Sequence, residues 1–254
     1  MSTAVLSEAE ERIGWITLNR PEALNAITIE LARELDEALW TLARTCRVIV
    51  IRGAGGNFCV GGDFAALQQL QARGTEAMRE LFESFHRACA TIAELPVPVI
   101  TAVEGYAMAG GFELMQAADI ALVREDAKLG DNHSNFGQVP GGGSSQRLPR
   151  LVGRQRALAL ILSGDRLTGA EAVAWGLAYR AYAPDQFDAQ VTAFAQRLAD
   201  KSPEALARSK RLVYEGLTRP LAEGIELETD TVLEHLSGAS ATAGIERFTG
   251  RRGT

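Results

Sequence analysis

A glycine turn that leads directly into a helix constrains this chain more than any other feature. It occupies residues 105–120, where Ala109, Gly110 and Gly111 are small enough for a ligand atom to approach the backbone. Unpaired N–H groups at a helix start, aligned with the positive end of the helix dipole, stabilise negative charge. Glu113 follows Gly110 by about one helical turn. The segment predicts an oxyanion site beside one carboxylate.

A second glycine turn has the same layout. Residues 55–64 follow a β-branched run at 47–52 and precede a helix-like stretch at 64–72. The backbone N–H groups of Gly62 and Gly110 could then hold one carbonyl oxygen while negative charge develops on it, as acyl and enolate chemistry requires. The pair of turns favours an enzyme over two unrelated packing glycines.

Ordered motifs along nearly the whole chain resemble the crotonase, or enoyl-CoA hydratase/isomerase, superfamily of acyl-CoA enzymes. Besides the two turns, the matching segments are 18–26, 96–103, 139–148, 162–177 and 201–207. The resemblance implies an α/β fold built as a crotonase-like spiral of ββα units, followed by a helical C-terminal region that trimerises. It also implies an acyl-CoA substrate and assembly as a homotrimer or a dimer of trimers.

Hydrophobic periodicity predicts an α/β arrangement on its own. Short apolar or β-branched runs at 12–18, 47–52, 97–103 and 120–123 predict strands, with helical patterns between them. Thr28 is a predicted helix N-cap. From about residue 186 to 247 the pattern is helical throughout, with Pro203 and Pro220 near helix starts. We therefore predict a core over 1–190 and a helical region over 191–254.

Composition limits the classes of function. The 254 residues carry a net charge of −6 and no long basic run, which argues against a nucleic-acid partner. An acidic, weakly apolar start and the absence of any stretch of about 18 apolar residues predict a cytoplasmic chain without a signal peptide or membrane partner. Three cysteines lack C-x-x-C spacing, so we expect buried reduced thiols and no metal site.

The resemblance also implies the proton-transfer groups. Hydratases of the superfamily hold a water molecule between two glutamates, of which the first corresponds to Glu113 and the second falls at His133. Histidine can exchange a proton near neutral pH. The predicted catalytic set is therefore Gly62, Gly110, Glu113 and His133. Asp131 is a weaker candidate, because an aspartate beside an asparagine, here Asn132, commonly forms a turn.

Three functions remain open on the sequence. The first is an enoyl-CoA hydratase-like lyase with a non-standard second catalytic position; simple isomerisation is less favoured because it commonly uses the missing glutamate. The second is a thioester or retro-Claisen carbon–carbon hydrolase, since one such branch has a histidine at His133, although its aspartate would fall at Gly142. The third is a CoA-binding member with little catalysis. The dehalogenase branch has a catalytic histidine where His86 falls, but dehalogenation is disfavoured because the required aspartate would fall at Gly141.

For the substrate, the resemblance points to loop residues that contact coenzyme A, which is part of the substrate, and no separate cofactor is expected. The predicted contacts are Ala23, Leu24, Ala26, Val60, Gly62, Asp63, Phe64 and Gly110. Arg20, Lys201 and the pair Arg251–Arg252 are cations available to the CoA phosphates, and none is singled out. The acyl group would contact apolar side chains such as Phe64, Leu67, Leu81, Phe85 and Phe136.

Overall fold

Two β-sheets organise residues 3–238, which the computed structural model describes. The larger sheet has the order β1-β2-β3-β4-β6-β9 and the smaller one the order β5-β7-β8. Within the larger sheet every neighbouring pair is parallel except β1 with β2. The strands are β1 (Val5–Glu10), β2 (Ile13–Leu18), β3 (Val48–Gly53), β4 (Val99–Val103), β5 (Tyr106–Met108), β6 (Ile120–Arg124), β7 (Lys128–Gly130), β8 (Leu167–Thr168) and β9 (Arg180–Tyr182).

Helices alternate with these strands over most of the chain, which confirms the predicted α/β class. They are α1 (Ile29–Ala43), α2 (Phe64–Ala72), α3 (Thr75–Glu94), α4 (Gly110–Ala117), α5 (Ser144–Val152), α6 (Arg154–Ser163), α7 (Gly169–Ala174), α8 (Phe187–Ala199), α9 (Pro203–Gly216) and α10 (Leu221–Leu236). A short 3-10 turn spans His133–Phe136.

Helices cover both faces of the larger sheet, which explains why its parallel strands are almost continuously apolar. Helices α1 and α3 pack on one face, where Leu35 and Leu39 are fully buried, and α8 packs on the other through residues such as Phe194. Helix α1 begins as predicted, because the Thr28 hydroxyl accepts the N–H of Leu31 at 3.1 Å. The three cysteines are free and buried.

Before α2, α4 and α5 the chain passes from the larger sheet to the smaller one. Strand β4 of the larger sheet leads to β5 of the smaller one and then to α4, and β6, β7 and α5 repeat this order. Strand β3 is followed by Cys59, which pairs with Ala107 of β5, and then by α2. Each of these ββα units therefore ends at a helix start beside the smaller sheet, and this arrangement positions the site.

Two parts of the structure differ from the sequence reading or extend it. The sequence does not predict strand β1, because five of the six residues of this edge strand are solvent-exposed and show no apolar alternation. The C-terminal helices form as predicted, with Pro203 in the first turn of α9 and Pro220 before α10. The boundary at 190 falls within α8, and the division into a core and a helical region stays a prediction.

Some predictions concern residues outside the described range. The helical pattern after residue 238 and the pair Arg251–Arg252 lie there. Between residues 3 and 238, no helix combines the length and the apolar character that crossing a bilayer requires.

Candidate functional site

Gly62 and Gly110 lie next to each other because the segments that precede their helices are paired. Cys59 donates its N–H to the Tyr106 carbonyl, and the Met108 N–H donates to the Cys59 carbonyl, both at 2.9 Å. After this pairing one segment continues through Gly62 into α2 and the other through Gly110 into α4. The hydrogen bonds among residues 3–238 use neither the Gly62 N–H nor the Gly110 N–H.

The turn before α4 has a constrained backbone. Ala109 adopts φ 47° and ψ −118°, a conformation that costs a non-glycine residue about 1–3 kcal/mol. Gly61 packs against it so closely that a Cβ there would lie 2.7 Å from the Ala109 Cβ and 3.2 Å from the Gly110 nitrogen. A Cβ on Gly111 would collide with the Cys59 carbonyl. The close packing fixes the direction of the Gly110 amide.

A cavity of about 640 Å³ lies in front of these two helix starts. This volume is in the range of about 300–1,000 Å³ that small-molecule sites occupy. Every residue of the predicted site lines it: Ala23, Leu24, Ala26, Val60, Gly62, Asp63, Phe64, Gly110, Glu113 and His133. The predicted apolar contacts Leu67, Leu81, Phe85 and Phe136 line it as well. The structure therefore brings the two glycine turns and both proton-transfer candidates to one cavity.

Glu113 is buried in the cavity wall with one oxygen fixed. Its Oε1 accepts the N–H groups of Gly142, at 2.8 Å, and Ser144, at 3.0 Å. Burial raises the pKa of Glu113 above its ordinary value, and the Ser144 amide, the charge of His133 and the Gly142 amide only partly oppose this effect. Since Oε2 accepts no hydrogen bond from residues 3–238, it is the oxygen available for proton transfer.

His133 lines the same cavity and is backed by a buried carboxylate. Its Nδ1 lies 2.7 Å from Oδ1 of Asp131, which directly follows β7 and is fully buried. Burial favours the neutral imidazole, but the hydrogen bond and the charge of Asp131, together with the charge of Glu113, outweigh it. The pKa of His133 therefore lies above its ordinary value of 6.5. The sequence favours a turn role for Asp131 over a catalytic one and does not predict this contact.

Close packing explains why residues 141 and 142 are glycines. The dehalogenase branch would need an aspartate at the first position and the retro-Claisen branch at the second. A Cβ on Gly142 would collide with Phe85 and lie 2.5 Å from Oε2 of Glu113, and a Cβ on Gly141 would lie 2.5 Å from the Phe82 ring. No larger side chain fits there without displacement. His86 donates its Nε2–H to the Gly141 carbonyl at 2.6 Å, so it holds this loop rather than lining the cavity.

Arg20 holds the first loop against the start of α2. Its guanidinium donates to Oδ2 of Asp63 at 2.8 Å and to the carbonyl of Ala26. The other Asp63 oxygen accepts the N–H of Ala66 at 3.0 Å and caps α2. Arg20 is thus already paired. Arg166, which the sequence analysis does not select, also lines the cavity.

The fold and the site together define an α/β protein in which two helix starts, a buried glutamate and a carboxylate-backed histidine surround one ligand-sized cavity. Comparisons with known proteins agree with this class. The profile of the family described as Enoyl-CoA hydratase/isomerase matches residues 8–254, and the chain belongs to this family.

Individual relatives extend over almost the whole chain. A Rhizobium meliloti protein named "probable enoyl-CoA hydratase" is 35% identical over 98% of this chain and 95% of its own length. A Bacillus subtilis protein of the same name is 33% identical over 98% of this chain and 96% of its own. The crystal structure of a Polaromonas enoyl-CoA hydratase superposes with a TM-score of 0.94 at 30% identity, covering 97% of both chains. The predicted crotonase-like fold is thereby confirmed.

Proposed function

We propose that this protein adds water to the double bond of an enoyl-CoA thioester, or removes it in reverse. One observation carries the proposal: the unused amides of Gly62 and Gly110 share a cavity with a buried Glu113 and with His133. The names of its relatives support this chemistry. The loops that contain Ala23 and Val60 would hold the coenzyme A moiety.

The proposed steps balance in atoms and charge. Glu113 Oε2 takes one proton from a water molecule, and the hydroxide joins the β-carbon while the electron pair of the double bond moves to the thioester oxygen. The Gly62 and Gly110 amides stabilise this enolate oxygen, a contribution of about 3–4 kcal/mol per donor. Imidazolium His133 then gives the Nε2 proton to the α-carbon. A proton passes from Glu113 back to His133 through solvent, and one water has been added.

One contact favours a second candidate, a thioester or carbon–carbon hydrolase. A neutral imidazole whose Nδ1–H is held by a carboxylate is also the usual arrangement for a general base that activates water. His133 and Asp131 have this geometry at 2.7 Å. The glycine at position 142 counts against a retro-Claisen branch that needs an aspartate there.

The test is turnover of crotonyl-CoA, followed by loss of the conjugated thioester absorbance and by release of free thiol in the same sample. We expect absorbance loss without thiol, and a fall in kcat of about 10²-fold or more in Glu113→Gln. Glu94→Gln, which changes an exposed carboxylate of α3, is the matched control and should keep full activity. Thiol release would favour the hydrolase, and CoA binding without any turnover would favour a member with little catalysis.

The pH dependence provides a second check. The proposed base must be ionised and the proposed acid protonated, and the pKa values of Glu113 and His133 are both raised. The rate should therefore rise with pH through the Glu113 pKa, above 4.5, and fall with pH through the His133 pKa, above 6.5. A rate that rises through the His133 pKa would instead indicate histidine acting as a base.

We further propose that the protein assembles as a homotrimer or a pair of trimers. Helices α9 and α10, with the C-cap residue of α9, expose apolar side chains that isolated chains rarely leave in water: Val213, Leu217, Leu221, Ile225 and Leu233. The molar mass of the assembly, measured by light scattering, distinguishes three copies from six, and a monomer would contradict the proposal.

A further inference from the structure

The Asp131 carboxylate is buried, although a role in a turn does not require burial. It is fully buried, one oxygen accepts a hydrogen bond from His133, and the other oxygen has no partner among residues 3–238. A buried carboxylate with a single partner is costly unless that partner carries a compensating charge. The partner, His133, is a side chain that can carry a positive charge and that lines the cavity.

We propose that Asp131 is a positioning residue for His133: its carboxylate keeps a proton on Nδ1 and leaves Nε2 as the atom that exchanges a proton with the acyl group. This inference rests on the proposed function for the identity of the reaction. A free imidazole in water prefers the tautomer with its proton on Nε2, so the carboxylate would select the opposite one. It also favours the imidazolium, the form that the acid role requires.

The charged groups around His133 come from several elements. Asp131 follows β7 and Glu113 belongs to α4, and both favour the imidazolium. Arg166, just before β8, lines the same cavity and carries a positive charge. Asp131 is the group in hydrogen-bond contact, so its removal should lower the pKa of His133 even though Glu113 remains.

The first experiment needs no turnover, and its result is measured on the wild-type protein. Nitrogen chemical shifts of the imidazoles are followed against pH in the ¹⁵N-labelled wild-type protein. The chain has three histidines, so the signals missing from His133→Gln identify those of His133. We expect the neutral form of His133 to carry its proton on Nδ1. A proton on Nε2 would overturn the proposal, whatever the reaction proves to be.

A double-mutant cycle then tests whether Asp131 acts through His133. We expect Asp131→Asn to lower kcat by about 10²-fold with KM changed less than about twofold, and to move the descending limb of the pH profile to lower pH. Once His133→Gln is present, adding Asp131→Asn should cost less than about twofold more. Asp165→Asn, on an exposed aspartate, is the matched control. Additive losses, or a descending limb of the pH profile that does not move, would refute the positioning role.

The two proposals can fail separately. If the wild type does not hydrate crotonyl-CoA, the proposed function fails, and the tautomer of His133 still decides whether Asp131 positions it.

Discussion

At the scale of single residues, the geometry of the proposed active site depends on Gly142 having no Cβ. Gly142 lies so close to Phe85 and to Oε2 of Glu113 that the position has no room for a Cβ, and its N–H also holds Oε1 of the same glutamate. One residue therefore both fixes the carboxylate and keeps it accessible. A methyl group there would push the Glu113 side chain out of place.

We predict that Gly142→Ala lowers kcat for crotonyl-CoA by about 10²-fold, because misplacing a reacting group by about 1 Å can cost that much. We also expect a lower melting temperature, since overpacking a buried position costs about 1–3 kcal/mol, so kcat is compared at a temperature where both proteins are folded. Gly216→Ala is the control, because a Cβ on that helical residue meets open space. Full activity in Gly142→Ala would mean that Glu113 does not act from its present position.

The sequence predicted the members of the site better than their contacts. Gly62, Gly110, Glu113 and His133 could be placed because local turn patterns and an ordered resemblance identify them. The amides of Gly142 and Ser144 that hold Glu113 come from about 30 residues further along the chain, and no local pattern indicates such a contact. The Asp131 contact was missed for a different reason, since an aspartate beside an asparagine already has a local explanation.

At the scale of elements, the start of α2 depends on one aspartate with two roles. Asp63 caps the helix through Ala66 and pairs with Arg20, which also holds the Ala26 carbonyl. Burial would raise the pKa of Asp63, but the Ala66 amide and Arg20 outweigh it, so the pKa is lowered. The carboxylate thus connects the two loops that are proposed to hold coenzyme A.

We predict that Asp63→Ala destabilises the fold by about 1–2 kcal/mol, the usual cost of losing an N-cap, and raises KM for crotonyl-CoA more than it lowers kcat. Asp63→Asn keeps a capping oxygen and should cost less.

Because the pKa of Asp63 is lowered in the folded state, its charge stabilises the fold above about pH 4, the ordinary pKa of an aspartate. This stabilisation disappears as the pH falls through the pKa of the folded state. The difference in melting temperature between wild type and Asp63→Asn should therefore be full at pH 7 and shrink below about pH 4. A constant difference would exclude the ion pair as its source.

The sequence predicts the elements that have buried apolar faces, but it does not predict the exposed edge strand β1. Helix α1 follows from a cap and a repeating apolar stripe, and β3 from a β-branched run that is covered on both faces. Half of the residues of strand β1 are polar and five of the six are exposed, and its pairing with β2 decides its conformation. The ββα order itself came from the resemblance, since periodicity does not say which sheet a strand joins.

At the scale of the whole molecule, a buried ion pair joins the C-terminal helices to the core. Lys210 of α9 contacts Asp119, just before β6, at 2.7 Å and donates to the carbonyls of Ile92 and Val97. Asp119 also accepts the Tyr214 hydroxyl at 2.8 Å. Burial raises the pKa of Asp119 and lowers that of Lys210, because their attraction only partly offsets the loss of hydration. Such a pair adds little net stability while intact but is costly to break from one side.

We predict that Lys210→Met lowers the free energy of unfolding by about 3–5 kcal/mol, since it leaves the Asp119 charge buried and unpaired. Adding Asp119→Asn should recover part of the loss because it removes that charge. Arg33→Met, the same kind of change in an exposed pair with Glu80, should cost less than about 1 kcal/mol. Denaturant unfolding of all four proteins at one protein concentration measures these differences, because assembly makes stability concentration-dependent. If Lys210→Met loses no more than Arg33→Met, the pair does not hold α9 to the core, and the packing of α9 against α3 must do so instead.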